Sequence, residues 1–154
     1  MKIRLLAVGK MRDAHYRALC EDYAKRLRRY CPLDVDEVKD GRGLSPKEAV
    51  KTEGDRLLGR LSGSPWVVAL HDGGGERSSE DLARWIQTRS ADGTREIVFV
   101  VGGPFGLSET VLSRSREQLS LSQMTLPHEL ARTVLLEQLY RAWTILRGTP
   151  YHHG

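Results

Sequence analysis

The sequence predicts an α/β domain whose mostly parallel sheet is flanked by helices. Short apolar runs alternate along the chain with segments in which apolar residues recur every three or four positions. Two runs, residues 66–70 and 97–101, are continuously apolar, as strands covered on both faces must be. Each of these two ends in a glycine-rich loop. The length of 154 residues suits one domain, residues 1–154, because a single core serves roughly 150 residues.

Each element has a local cause. Residues 3–8 form an apolar run that ends at Gly9, a first strand. Asp13 precedes Tyr16, Leu19, Tyr23, Leu27 and Tyr30, one stripe of a helix that Pro32 stops. Residues 33–38 alternate as a second strand. Ser45-Pro46-Lys47-Glu48 joins a capping box to a first-turn proline and starts a helix running to Leu61. Gly63-Ser64-Pro65 separates it from the strand 66–70, which gives way to the loop His71-Asp72-Gly73-Gly74-Gly75. Ser78 or Ser79 caps a helix to about Ser90. The strand 97–101 ends at Gly102-Gly103-Pro104-Phe105-Gly106-Leu107. Residues 119–127 are too polar for a buried strand and read as a loop. The last helix covers 128–147, where Ala131, Leu135, Leu139, Ala142 and Leu146 form one stripe. Leu130, Val134 and Trp143 widen it beyond a single core face, and Gly148 with Pro150 closes it. The surplus apolar surface predicts a partner, most simply in a symmetric homodimer.

Charge and composition narrow the function classes. The net charge is +4, and residues 2–30 hold nine basic side chains against three acidic ones. A localised positive surface suits a polyanion, although taken alone a solvated helix face is the first reading. No apolar run approaches the roughly 18 residues of a membrane span, and no secretory leader is visible. Cys20 and Cys31 form no CxxC pair and have no neighbouring histidine at ligand spacing, so neither a metal site nor a disulfide framework is expected. The cytoplasm is the expected compartment.

Ligands of parallel sheets bind beyond the carboxyl ends of the strands, here in the loops after Leu70 and Val101. Neither loop carries a nucleotide-binding fingerprint. An ordered set of segments is more telling: Ala7-Val8-Gly9-Lys10, Gly102-Gly103-Pro104 with Gly106-Leu107, Leu119-Ser120-Leu121-Ser122, Thr125-Leu126-Pro127-His128, Leu139-Tyr140-Arg141-Ala142-Trp143 and Pro150-Tyr151-His152. Across nearly the whole chain this set resembles the RlmH family of SPOUT methyltransferases, which methylate a pseudouridine in large-subunit ribosomal RNA.

The resemblance implies a C-terminal trefoil knot and an S-adenosyl-L-methionine site made by three backbone segments. These are Leu70, Gly103, and the run Ser122, Gln123, Met124, Thr125, Leu126 and Pro127. It also implies a homodimer with the tail of one subunit near the cofactor of the other, and the assembled ribosome as substrate. Methylation at N3 of a pseudouridine needs a base for the imide proton and a donor for the resulting anion. His152, Arg141 and Tyr151 are the candidates; a polar terminal tail and a helix-surface charge are the plain alternatives. The chain departs from the family in two places. Phe105 replaces the acidic residue common in the glycine turn, and His71 follows Leu70 where an aspartate is usual, with Asp72 one step later. Two alternatives stay open: a SPOUT enzyme for another rRNA or tRNA position, and a non-catalytic RNA-binding or ribosome-assembly protein.

Overall fold

The computed structural model describes residues Met1–Gly154. Its elements are β1 (Lys2–Val8), α1 (Ala14–Leu27), β2 (Leu33–Val38), α2 (Pro46–Leu58), β3 (Trp66–Glu76), α3 (Ser79–Ala91), β4 (Glu96–Val101), α4 (Glu109–Arg114), β5 (Glu117–Ser120) and α5 (His128–Arg147). The five strands form one sheet in the order β2-β1-β4-β3-β5, and every pairing is parallel. The expected α/β class is thus observed. Alternate side chains of the central strands bury on opposite faces, as a period of two requires. Ile3, Leu5, Ala7, Ile97, Phe99 and Val101 join α1, α3 and α5 in the larger core. Leu6, Val8, Val98 and Val100 pack with Leu57 of α2 and Val111 of α4 in the smaller one. Ser45 caps α2 and Ser78 caps α3, each through its side-chain oxygen.

The structure corrects several sequence readings. The third strand does not end at Leu70 but continues to Glu76, with a register shift in which Leu70 and Gly75 both pair with Leu119. A Cβ on Gly74 would lie 2.6 Å from the Gln118 carbonyl carbon, so this glycine permits close strand approach rather than ligand approach. The span 119–127 is loop only from Leu121 onward; Leu119 and Ser120 are buried in β5. The edge strand binds β3 through its backbone, and the Ser120 hydroxyl is satisfied by the Ser122 carbonyl at 3.0 Å, so polarity did not prevent burial. The six-residue α4 was not anticipated, since it shows only a single buried apolar residue, Val111. The helices α1 and α2 also stop earlier than expected, at Leu27 and Leu58.

One side chain sets where α5 lies. Arg132 is 2% exposed, and its guanidinium donates to the Val8 carbonyl at 2.7 Å, to the Gly9 carbonyl, and to Glu37 at 2.6 Å. It therefore clamps the start of α5 to the carboxyl ends of β1 and β2. Removing one partner of such a buried ionic network costs about 3 kcal/mol or more, because the remaining groups lose their partners. Arg132→Ala should lower unfolding free energy by about that amount in urea titrations. A loss below about 0.5 kcal/mol would show the clamp to be dispensable.

Candidate active site

The carboxyl ends of β3 and β4 open into a cleft of about 350 Å³, a volume within the range of small-ligand sites. Leu70, His71 and Asp72 form one wall, and the turn from Gly102 to Leu107 forms the second. Leu121, Ser122, Met124, Thr125 and Leu126 form the third, and His128 and Ala131 of α5 close the floor. Six of the expected cofactor residues, Leu70, Gly103, Ser122, Met124, Thr125 and Leu126, thus line one cavity. Gln123 and Pro127 do not line it. Gln123 is exposed, and Pro127 occupies the N-cap position of α5, where it makes no side-chain cap.

The glycine turn is shaped by packing. A Cβ on Gly102 would lie 2.9 Å from the Gly106 carbonyl group, so the turn closes on itself only without a side chain there. Gly106 sits at φ +83°, a conformation that favours glycine. A Cβ on Gly103 would point at Glu53 Oε1 (3.2 Å) and Val8 Cγ1 (3.3 Å), into the protein and not toward a ligand. Glu53, on α2, is 3% exposed; its Oε2 accepts the Gly41 amide at 2.8 Å, while Oε1 has no partner. On the opposite wall His71 is exposed and accepts the Gly73 amide at Nδ1, 2.9 Å away, which places its ring proton on Nε2.

The three expected catalytic side chains meet one another but not this cleft. Arg141 lies ten residues beyond Ala131 on α5, about 15 Å along the helix axis. Its Nη1 donates to His152 Nδ1 at 3.1 Å. A guanidinium has no acceptor, so Nδ1 accepts and Nε2 carries the proton, which it donates to Glu80 at 2.7 Å. Glu137 Oε1 accepts from Arg141 Nε (3.0 Å), Arg141 Nη2 (2.6 Å) and Tyr151 Oη (3.1 Å). The Tyr151 ring meets Tyr140 edge-on at 4.7 Å, with the Arg141 guanidinium 4.7 Å above it. The hydrogen bond to His152 lowers the pKa of Glu80, and the bonds to Glu137 raise that of Arg141. Burial, with hydrogen bonding to Tyr23 and Glu137, raises the pKa of Tyr151 far above that of a free phenol.

Comparison with known proteins agrees with this architecture. A family model described as predicted SPOUT methyltransferase matches residues 1–152. The chain belongs to the SPOUT methyltransferase family. A relative from Maridesulfovibrio salexigens, named ribosomal RNA large subunit methyltransferase H, is 45% identical over 99% of this chain and 98% of its own length. One of the same name from Gloeobacter violaceus is 43% identical over the whole of both chains. Among solved structures, the tRNA (m1G37) methyltransferase from Aquifex aeolicus aligns with 99% of this chain and 73% of its own, at a TM-score of 0.56 and 16% identity. That likeness is one of fold.

Sequence reasoning missed Glu53 in this SPOUT methyltransferase, because a helical glutamate looks like any solvated carboxylate until its burial is seen. Part of the N-terminal positive charge is paired. Lys2, Arg4, Arg12 and Arg26 each face a carboxylate partner within salt-bridge distance. No group of three or more His, Cys, Asp or Glu is placed to hold a metal ion, and no helix is long and apolar enough to cross a membrane.

The raised pKa of Tyr151 has a defined sign. A group whose folded pKa lies above its unfolded value, here 10.0, stabilises the docked tail below that pH and loses the contribution as pH rises through the folded value. An alkaline absorbance titration should show one tyrosine ionising after the rest. Tyr151→Phe should delete that last step, and a curve unchanged by the substitution would assign it elsewhere.

Proposed function

We propose that this chain, acting as a single domain over residues 1–154 and as a homodimer in the cytoplasm, transfers a methyl group from S-adenosyl-L-methionine to N3 of a pseudouridine in large-subunit ribosomal RNA. The substrate on this reading is the assembled ribosome. What carries it is the full-length similarity to relatives named for large-subunit rRNA methylation, and what supports it is that six of the residues expected to hold the cofactor line one cleft. The reading includes the trefoil knot, with Leu70, Gly103 and the run from Ser122 to Pro127 meeting at it.

The cleft suits the cofactor by its chemistry. Leu70, Leu121 and Leu126 offer apolar surface to an adenine, and the backbone of the glycine turn offers polar groups to its edge. No lysine or arginine lines the cleft, and Asp72 is its single carboxylate, an environment that does not repel a sulfonium. When bound, the cofactor supplies an electrophilic methyl group that needs no metal.

The chain must then remove the imide proton and hold the anion in line. Arg141 on α5 and Tyr151 and His152 in the tail do this across the dimer, from the partner. With Nδ1 occupied by Arg141 and the Nε2 proton held by Glu80, His152 has no free acceptor. When Arg141 turns from His152 toward the substrate anion, it frees Nδ1 to take the N3 proton. Tyr151, held as a neutral phenol, serves as a donor and orients Glu137 and Arg141.

Two outcomes follow for the purified protein with ribosomes lacking the modification. Deleting residues 151–154 should lower kcat for labelled-methyl transfer by about 100-fold or more, the range of general acid–base catalysis, while calorimetric affinity for S-adenosyl-L-methionine stays within about threefold. Full activity of the truncated protein would remove the tail from the reaction. Gly102→Ala should weaken cofactor binding by on the order of tenfold, since the turn must open to admit a methyl group. Unchanged affinity would place the cofactor away from that turn.

A further inference from the structure

A second cavity of about 350 Å³ lies on the far side of Pro104 and Phe105 from the cofactor cleft, and those two residues belong to both linings. We propose that this cavity binds the base of an unpaired nucleotide flanking the methylated one, stacked on Phe105, with its phosphate held at the rim by Lys10, Lys39 and Arg42. The inference rests on the RNA-methyltransferase reading and deepens it.

Three features point to a nucleotide. Phe105 is 56% exposed and Leu44, also lining the cavity, is 43% exposed. These are two of the five large hydrophobic side chains that the protein leaves open to solvent, and they line one cavity together. The rim carries cations without ion-pair partners. Lys10 and Arg42 line the cavity, and Lys39 joins them in the adjoining groove at the ends of β1 and β2. None of the three has a carboxylate within salt-bridge distance, whereas the other rim cation, Arg12, is held by Asp40 at 3.2 Å. Of the nearby acids, Glu37 pairs with Arg132 and Asp40 with Arg12, while Glu129 is turned to the backbone amides of Arg12 and Asp13. Three free cations beside an exposed aromatic ring are what a single strand requires, since the charges follow its phosphates and the ring stacks its bases.

The lining also orients the ligand. Glu53 closes the inner end, with Oε1 unpartnered and the side chain 3% exposed. A buried carboxylate repels phosphate and suits the donor edge of a base, so the base enters and the phosphate stays at the rim. Because Phe105 is the shared wall, a base stacked on it sits one partition away from the cleft where the methyl group is delivered. A glutamate there would place a charge where this chain presents a ring.

The test uses the full-length protein in two arms. In the first, fluorescein-labelled oligouridylate is titrated and followed by anisotropy. Phe105→Ala and Phe105→Leu should each weaken binding by about tenfold, the low to middle range for loss of one stacked base, while Phe105→Trp binds as tightly as the unaltered protein. Its indole fluorescence, taken as the difference from the unaltered protein, should be quenched by the RNA. In the second arm, methyl transfer to ribosomes should show KM for ribosomes raised in the Ala and Leu variants. Equal oligouridylate affinity of the Ala variant and the unaltered protein would overturn the proposal. Leu binding as well as Phe would overturn it too, because an apolar but non-aromatic wall would then suffice. A change of oligomeric mass in Phe105→Ala would reassign the ring to an interface between copies. Absence of methyl transfer to ribosomes by the unaltered protein would overturn the substrate assignment instead, with the oligouridylate arm still deciding the stacking site.

Discussion

The placement of α5 against the sheet rests on a single buried cation. Arg132 reaches two carbonyls at the end of β1 and a carboxylate on β2, all beyond its own helix. A charge this deep is tolerable only with its hydrogen bonds made, so the contacts determine one depth and one rotation for the start of α5. Both clefts inherit that placement: His128 lines each of them, and Ala131 closes the floor of the first. The clamp is asymmetric, because Nε has no partner, so the specificity of the site comes from the two terminal nitrogens alone.

A second constraint acts through the glycine turn. Gly103 lies against Glu53 and Val8, and Gly102 against Gly106, so the turn that walls the cofactor cleft is wedged between α2, β1 and its own far end. Glu53 in turn holds the Gly41 amide beyond β2. One carboxylate therefore links the floor of the second cavity to the back of the turn lining the first. The two cavities share the partition formed by Pro104 and Phe105, and changes at Gly103 reach the second cavity through Glu53.

Periodicity made most of the fold legible. The central strands bury both faces, and their apolar runs are too continuous to read otherwise; Ser45, Ser78, Gly148 and the prolines marked helix ends through chemistry that acts locally. Besides the short α4 and the ends of α1 and α2, what failed lies toward the β5 edge of the sheet. β5 contributes four residues, and its stability comes from backbone pairing with β3, which leaves little trace in side-chain pattern. The extension of β3 past Leu70 was hidden for the same reason: its glycines exist to let two backbones approach, and a glycine run looks the same whether a strand or a ligand lies opposite. Six residues of the ordered motifs come together around one cleft, whereas Glu53, Arg132 and the second cavity are products of tertiary packing with no local signature.

The tail poses a chemical question that its geometry narrows. Arg141 and His152 are each saturated by the other and by Glu137 or Glu80, a state suited to anchoring and not to accepting a proton. The same contacts are reversible: only one donor occupies Nδ1, and that donor is the residue best suited to hold an imide anion. On the proposed reading, a substrate that draws Arg141 away would create the base in the act of binding and make proton removal conditional on the correct acceptor. For a tail to meet its own cleft it would have to travel back along much of α5, losing its packing on Tyr140 as well as its hydrogen bonds. A cleft served by a second copy keeps those contacts intact, and on that ground a composite site is physically the less costly arrangement.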